Sequence, residues 1–243
     1  MMTNAPSRKR PAHIPLAIVR KMHESWFSGP WTHVFLTPGA IDHLLPSIGR
    51  LLAGWGLAGA VGIVLGVALG RSPAVMPYVE PLISFARSVP AAALFPVFLV
   101  LFKVGTPMQL ATITFGAIWP VLLNTIDGAR SVDQTQLDTA RAFRIPRAQW
   151  LFGVVLPAAA PKIFAGLRIS LSLCLVLMVL SELVGATDGI GYLTVVVARS
   201  EYDLAKSWAG IVLLGILGNV LNGLLLAGQR RLLAWHTQAK GIA

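Results

Sequence analysis

Charged residues are spaced so unevenly along this chain that the gaps between them mark out its elements. Leu51 to Gly70 is an uncharged run closed off by Arg50 and Arg71, and Val104 to Ile126 and Ser207 to Gln229 are two more. Each can cross about 30 Å of hydrocarbon as a helix, which takes about 20 residues. Tyr78 to Phe102 and Pro161 to Val184 are apolar as well. The first carries Glu80, Arg87, Pro90 and Pro96, the second Lys162, Arg168 and Glu182. Charges near a helix end can reach the interface, whereas Arg87 and Glu182 lie deeper and need a partner or a wet cavity. The pattern predicts five spans. Short alternating segments of the barrel kind are absent, so the spans are expected to be helices.

Composition agrees with that reading. Of 243 residues 55% are hydrophobic and 12% charged, and the mean hydropathy is +0.70. Soluble domains carry about 25% charge. The expected fold class is therefore an all-α, polytopic membrane protein. Cys174, the single cysteine, falls inside the fourth span, where it reads as a small packing residue. The histidines His13, His23, His33, His43 and His236 lack the spacing of a metal site and read as surface residues.

A net charge of +10 could suggest a nucleic-acid partner, but its distribution speaks for membrane topology. The segment from Asp127 to Lys162 holds Arg130, Arg141, Arg144, Arg147 and Lys162, and the tail holds Arg230, Arg231 and Lys240. Between Gly185 and Lys206, Arg199 and Lys206 are set against Asp188, Glu201 and Asp203. The 127–162 loop and the C-terminus are thus expected in the cytoplasm and the 185–206 loop outside, with no nucleic acid as partner. Traced backwards, this topology puts the arm over residues 1–42 outside, although it carries Arg8, Lys9, Arg10, Arg20 and Lys21. Three readings stay open. The arm is an amphipathic surface helix with Trp26 and Trp31 at the interface, or a preceding span is missing, or the positive-inside rule is broken here.

Motifs add detail. Gly62, Gly66 and Gly70 form a four-residue ladder that permits close helix packing, expected within the chain before a dimer face. Pro90 and Pro96 interrupt the second span, as in helices that line a passage. Arg87 either faces such a passage or snorkels to headgroups. Glu182, after Ser181, either lines an outer vestibule or serves as a structural group, the reading favoured. The glycines Gly185, Gly189 and Gly191 break the chain into a turn and a short, partly inserted hairpin. The sequence holds no GxxxxGK[ST] loop, no GxSxG, no HExxH and no paired cysteines. No catalytic, cofactor-binding or metal site is expected.

The remaining feature is the stretch DTARAFRIPRAQWLFGVVLP, residues 138–157, polar between two apolar spans. Residues 133–143 read as a short helix with Leu137, Ala140 and Phe143 on one face. Ile145-Pro146 ends it, and Pro146 opens a second helix running to Pro157. Such an element is too polar to insert and too apolar to be a free loop. A protein partner and a headgroup surface explain it equally well.

This stretch resembles the EAA loop of ABC importer permeases, whose pattern is E-A-A, three residues, G, nine residues, then I-x-L-P. Aligned on Val154-Val155-Leu156-Pro157, the pattern puts Asp138-Thr139-Ala140 on E-A-A and Arg144 on the glycine. Arginine at a left-handed turn would cost about 1–2 kcal/mol. Residues 43–70, 81–105, 181–193 and the tail RRLLAW (230–235) are similar to the nitrate/sulfonate/taurine/bicarbonate-type permeases. The resemblance implies a type I ABC importer permease-like fold over residues 43–243, with a cytoplasmic coupling loop at about 127–160. It implies the bacterial inner membrane, two permease copies forming a pore, and partner ATPase subunits that bind ATP and magnesium. A solute-binding protein would deliver a small solute, an anion such as a sulfonate, taurine or nitrate. Asp138, Ala140, Arg144, Leu156 and Pro157 would carry coupling, and Arg87, Asn124, Ser181 and Glu182 are pathway candidates. These permeases usually have one more N-terminal span. The segment from Ile14 resembles the stretch just C-terminal to that span, which favours the missing-span reading. A stand-alone transporter or channel would instead show an internal repeat, and a membrane enzyme clustered acids, histidines or a nucleophile. Neither pattern is present.

Overall fold

A computed structural model describes residues 19–20, 22–29, 37–184, 186–197 and 204–233. Much of the N-terminal arm, Trp31 included, lies outside the described residues, as do His13, His33 and His236. Helix α1 spans Pro38–Gly70, α2 Met76–Ser88, α3 Phe95–Phe102, α4 Thr106–Arg130 and α5 Gln134–Ala142. Helix α6 runs over Arg147–Leu183 and α7 over Leu204–Leu232. Among the described residues, four helices are long and apolar enough to cross a membrane, and the bent pair α2–α3 makes a fifth candidate.

Helix α1 begins earlier than its uncharged run suggests. Pro38 takes the first turn, where its missing N–H costs nothing, and the Thr37 hydroxyl accepts the Ala40 N–H at 3.1 Å. Arg50 thus sits within the helix and not at its edge. Trp26 is not at an interface either: it is 2% exposed and packs with Ala40 and Leu213. Burial of its large ring fixes the short π-helical segment His23–Phe27 against α1 and α7.

The core is a three-helix layer in which α4 lies between α1 and α6. Small residues make that approach possible. A Cβ at Gly66 would stand 2.5 Å from the Thr125 Cβ and 3.0 Å from the Leu122 carbonyl oxygen. The glycine ladder therefore packs α1 on α4 within one chain, as expected. On the other side of α4, Ser170 of α6 donates to the Ala117 carbonyl at 2.8 Å. Cys174 is fully buried with Leu51, Ile113 and Met178.

The α2–α3 pair bends by 81° at the break. Val89 is extended (φ −76°, ψ 117°) because Pro90 follows it. A 3-10 turn, Ala91–Leu94, then leads into α3. The two prolines thus divide the segment into a pair of half-helices whose apolar side chains Tyr78, Leu82, Phe85 and Val100 remain exposed.

Candidate functional site

Two clusters stand at opposite ends of the three-helix layer. The first is built from α4, α5 and the start of α6. Arg71, just past α1, holds this end together: its guanidinium lies 5.8 Å from the Trp150 ring centroid and donates to the Ala129 carbonyl at 3.4 Å. Val67, Ala129, Val132 and Val155 form a small buried core there, onto which Leu137, Trp150, Leu151 and Leu156 pack.

Helix α5 ends as a Schellman turn. The Ile145 N–H reaches back to the Ala140 carbonyl at 3.0 Å, and Arg144 adopts φ +49°. Arg144 therefore occupies a left-handed position, where glycine is favoured and a Cβ is penalised. Pro146 (φ −57°, ψ 143°) then starts α6. Ala140, Ile145, Trp150, Val154 and Pro157 line a cleft of about 660 Å³ between the two helices.

Two expectations for this loop need correction. Phe143 does not share the buried face of Leu137; it is 78% exposed. Six residues at 100° each place it about 120° around the helix from Leu137, so a three-residue step drifts off the face. The second helix also does not stop at Pro157 but continues to Leu183. A π-helical stretch, Leu151–Val155, precedes the proline. Its wider register absorbs the hydrogen bond that Pro157 cannot make.

The coupling residues expected from the sequence converge only in part. Ala140 and Pro157 share the cleft, Leu156 packs into the small core, and Arg144 lies at the left-handed turn. Asp138 is exposed on α5. Arg87 is exposed in the last turn of α2 at the bend. Asn124 braces α4, its amide donating to the Pro120 carbonyl at 2.8 Å.

The second cluster surrounds Glu182 at the far end of α6. One carboxylate oxygen accepts the Ser47 hydroxyl at 2.6 Å and an Arg50 guanidinium nitrogen at 3.2 Å, and the other accepts the Gly191 N–H at 2.8 Å. Arg50 also donates to Asp188 at 2.7 Å. Ser47 accepts the Ile190 N–H at 2.8 Å, and His43 Nδ1 accepts the Gly189 N–H at 3.0 Å. Gly189 (φ +114°) lies so close to the Glu182 carboxylate that no Cβ would fit. Ser181 is also buried, its hydroxyl donating to the Met178 carbonyl at 2.8 Å. His43 is thus half-buried and bonded, not a plain surface histidine. The sequence alone marks Arg50 only as a boundary. Once α1 is known to start at Pro38, His43, Ser47 and Arg50 fall at i, i+4 and i+7 on one face, the signal that finds them. Among the described residues no group of three or more His, Cys, Asp or Glu is placed to hold a metal ion.

A helix–turn–helix packed on the spans and a clamped hairpin thus stand at opposite ends of the three-helix layer. The family of binding-protein-dependent transport system inner membrane components matches residues 60–234. The chain belongs to this family. Among relatives of these permeases, the putative aliphatic sulfonates transport permease protein of Bacillus subtilis (strain 168) is 32% identical over 208 residues, 86% of this chain and 75% of the relative. The taurine transport system permease protein of Escherichia coli (strain K12) is 34% identical over 82% of this chain and 72% of its own length. In fold, the permease resembles a chain of the inward-facing MetNI methionine ABC transporter (TM-score 0.68, 19% identity), covering 78% of this chain and 94% of that one. A chain from an amino acid ABC transporter is similar over 76% of this chain and 91% of that one (TM-score 0.59, 17% identity). The fold is that of a type I ABC importer permease, and the protein is the permease subunit of such an importer.

Proposed function

We propose that this permease admits a small anion, a sulfonate, taurine, nitrate or bicarbonate, through a pore formed with a second copy of itself. A solute-binding protein delivers the solute, and ATP with magnesium is bound and hydrolysed by partner ATPase subunits, the permease being non-catalytic. The relatives' substrates support the solute class: aliphatic sulfonates, taurine and bicarbonate are named for permeases similar to this chain in sequence.

The observation that carries the coupling role is the α5–turn–α6 element. Its Trp150 side is fixed to the core by Arg71, while Phe143 and Phe152, 78% and 67% exposed, project from it. Exposed aromatics on a rigidly mounted helix pair fit a protein partner better than free solvent. Because α6 runs unbroken from this element to Glu182, displacement of the loop is passed along one rod to the opposite end. ATPase states that prefer different loop positions would then shift the pore between its conformations. In this reading Asp138, Ala140 and Arg144 meet the ATPase, and Leu156 and Pro157 transmit its motion. The basic loop at about 127–160 and the C-terminus lie in the cytoplasm.

Among the pathway candidates, the exposure of Arg87 beside the 81° bend favours it as a lining residue. Asn124 serves as a brace. Ser181 and Glu182, fully buried with both carboxylate oxygens of Glu182 bonded, serve as the hairpin's anchor.

Affinity purification of the tagged permease with its operon neighbours tests the coupling role. The ATPase is expected to co-elute with the wild type. Ala140→Glu, which puts a charge into the half-buried cleft, is expected to reduce its recovery at least tenfold while the permease still inserts. Equal recovery would contradict the assignment.

A further inference from the structure

Arg168, inside the span of α6, has no ionic partner among the described residues. Arg168 lies on α6 roughly 21 Å along the axis from Glu182, at about 1.5 Å per residue, and it is exposed on the helix surface. Its Nε donates to the Asn222 side-chain oxygen of α7 at 3.1 Å. The two terminal nitrogens of the guanidinium have no protein acceptor, and no carboxylate pairs with it, among the described residues. Arg50, the other arginine embedded in a spanning helix near the opposite end, is held by two carboxylates. A guanidinium at membrane depth is expensive unless it meets an anion or a wet cavity.

The cavity is present. Arg168 lines a cleft of about 420 Å³ together with Ala165, Ile169, Ser172 and Gln229. Asn222 and Gln229, seven residues apart, fall on one face of α7, so the amide-bearing face of α7 looks onto the arginine and serine of α6. Every polar group here is a cation, an amide or a hydroxyl. The Ser172 hydroxyl holds only a long bond, 3.4 Å, to the Arg168 carbonyl and is available to turn. Asn222 fixes the guanidinium through Nε, which leaves the terminal nitrogens as a preset fork. A fork of that kind binds oxyanions through paired, charge-assisted hydrogen bonds.

We infer that Arg168, Ser172, Asn222 and Gln229 form an oxyanion subsite between the spanning helices α6 and α7. A sulfonate, nitrate or bicarbonate in transit and the phosphate of a lipid headgroup share the chemistry this subsite recognises. The solute arm rests on the anion-importer reading above; the lipid arm does not.

Thermal unfolding of the full chain, purified with whatever subunits accompany it and held in maltoside micelles that carry no phosphate, tests the subsite. Methanesulfonate and nitrate are titrated in lipid-free micelles, and phosphatidylglycerol is titrated separately. A saturable rise in Tm with a small anion assigns a solute subsite, and a rise with phosphatidylglycerol alone assigns a headgroup subsite. Either response should need at least tenfold more anion in Arg168→Gln and in Asn222→Leu, with Arg168→Lys between them and the wild type. The inference is overturned if neither anion source raises Tm, or if the response is unchanged in Arg168→Gln and Asn222→Leu. Failure of the ATPase to co-elute would leave these titrations intact, so the two readings fail separately.

Discussion

Arg144 shows how a single backbone angle carries functional information. Its φ of +49° is the conformation that the glycine of the EAA pattern supplies at no steric cost. The Ile145–Ala140 hydrogen bond enforces it here on an arginine. Arg144→Gly should therefore relieve about 1–2 kcal/mol of local strain and leave ATPase stimulation equal to or above that of the wild type. A large loss of stimulation would mean that the guanidinium makes a contact of its own with the partner. Glu182 makes the opposite case, since it is stabilised by neighbours that are distant in sequence. Removing its carboxylate would leave Arg50 embedded with Asp188 as its remaining ion-pair partner, a loss of about 3–5 kcal/mol for a broken buried pair. Glu182→Ala should thus lower the unfolding temperature in detergent far more than Glu182→Gln, which keeps an acceptor for Ser47. Equal effects would show that the charge lost in both variants, and not the acceptor kept for Ser47, is what holds the hairpin. The unusual residue at 144 was legible from spacing alone. A structural role for Glu182 was the favoured reading, but its partners were not legible, because Ser47 and Arg50 lie more than a hundred residues away and only the folded chain brings them together.

Among the elements, the spans were readable because hydrocarbon demands long uncharged helices, and that demand leaves a mark on composition. Less readable was how they end. Helix α1 gains its first turns from Thr37 and Pro38, signals of capping that hydropathy does not register. Helix α6 survives Pro157 because a π-helical stretch precedes it, so a proline that reads as a terminus becomes an interior residue. The glycine ladder of α1 was legible as a packing face but not as the face of α4, since small residues specify close approach and not the identity of the partner. Gly66→Leu should disrupt this crossing, because the added carbons would meet both Thr125 and the Leu122 carbonyl. Gly56→Ala, on the same helix with nothing within 4 Å of its new Cβ, should be tolerated. Comparison of folded yield and unfolding temperature for the two variants checks this. Comparable losses would mean that helix propensity or lipid contact, and not the α1–α4 crossing, sets the tolerance.

The whole molecule combines a three-helix layer, a bent pair of half-helices and two anchored ends. Its loop end, tied by Arg71 to Trp150, and its hairpin end, tied by Glu182 to α1, are joined by the single rod of α6. That continuity makes the molecule suited to transmit a push from a partner instead of acting alone. The difference between a driven and an autonomous transporter is visible in flux. Proteoliposomes carrying the permease, its ATPase and its binding protein are loaded with ATP, or with ADP, and offered labelled taurine, an alkanesulfonate, nitrate and bicarbonate in turn. The account predicts accumulation of at least one of these anions above its outside concentration with ATP and the binding protein present, and at least tenfold less with ADP. Accumulation that persists in vesicles containing the permease without the ATPase would contradict it.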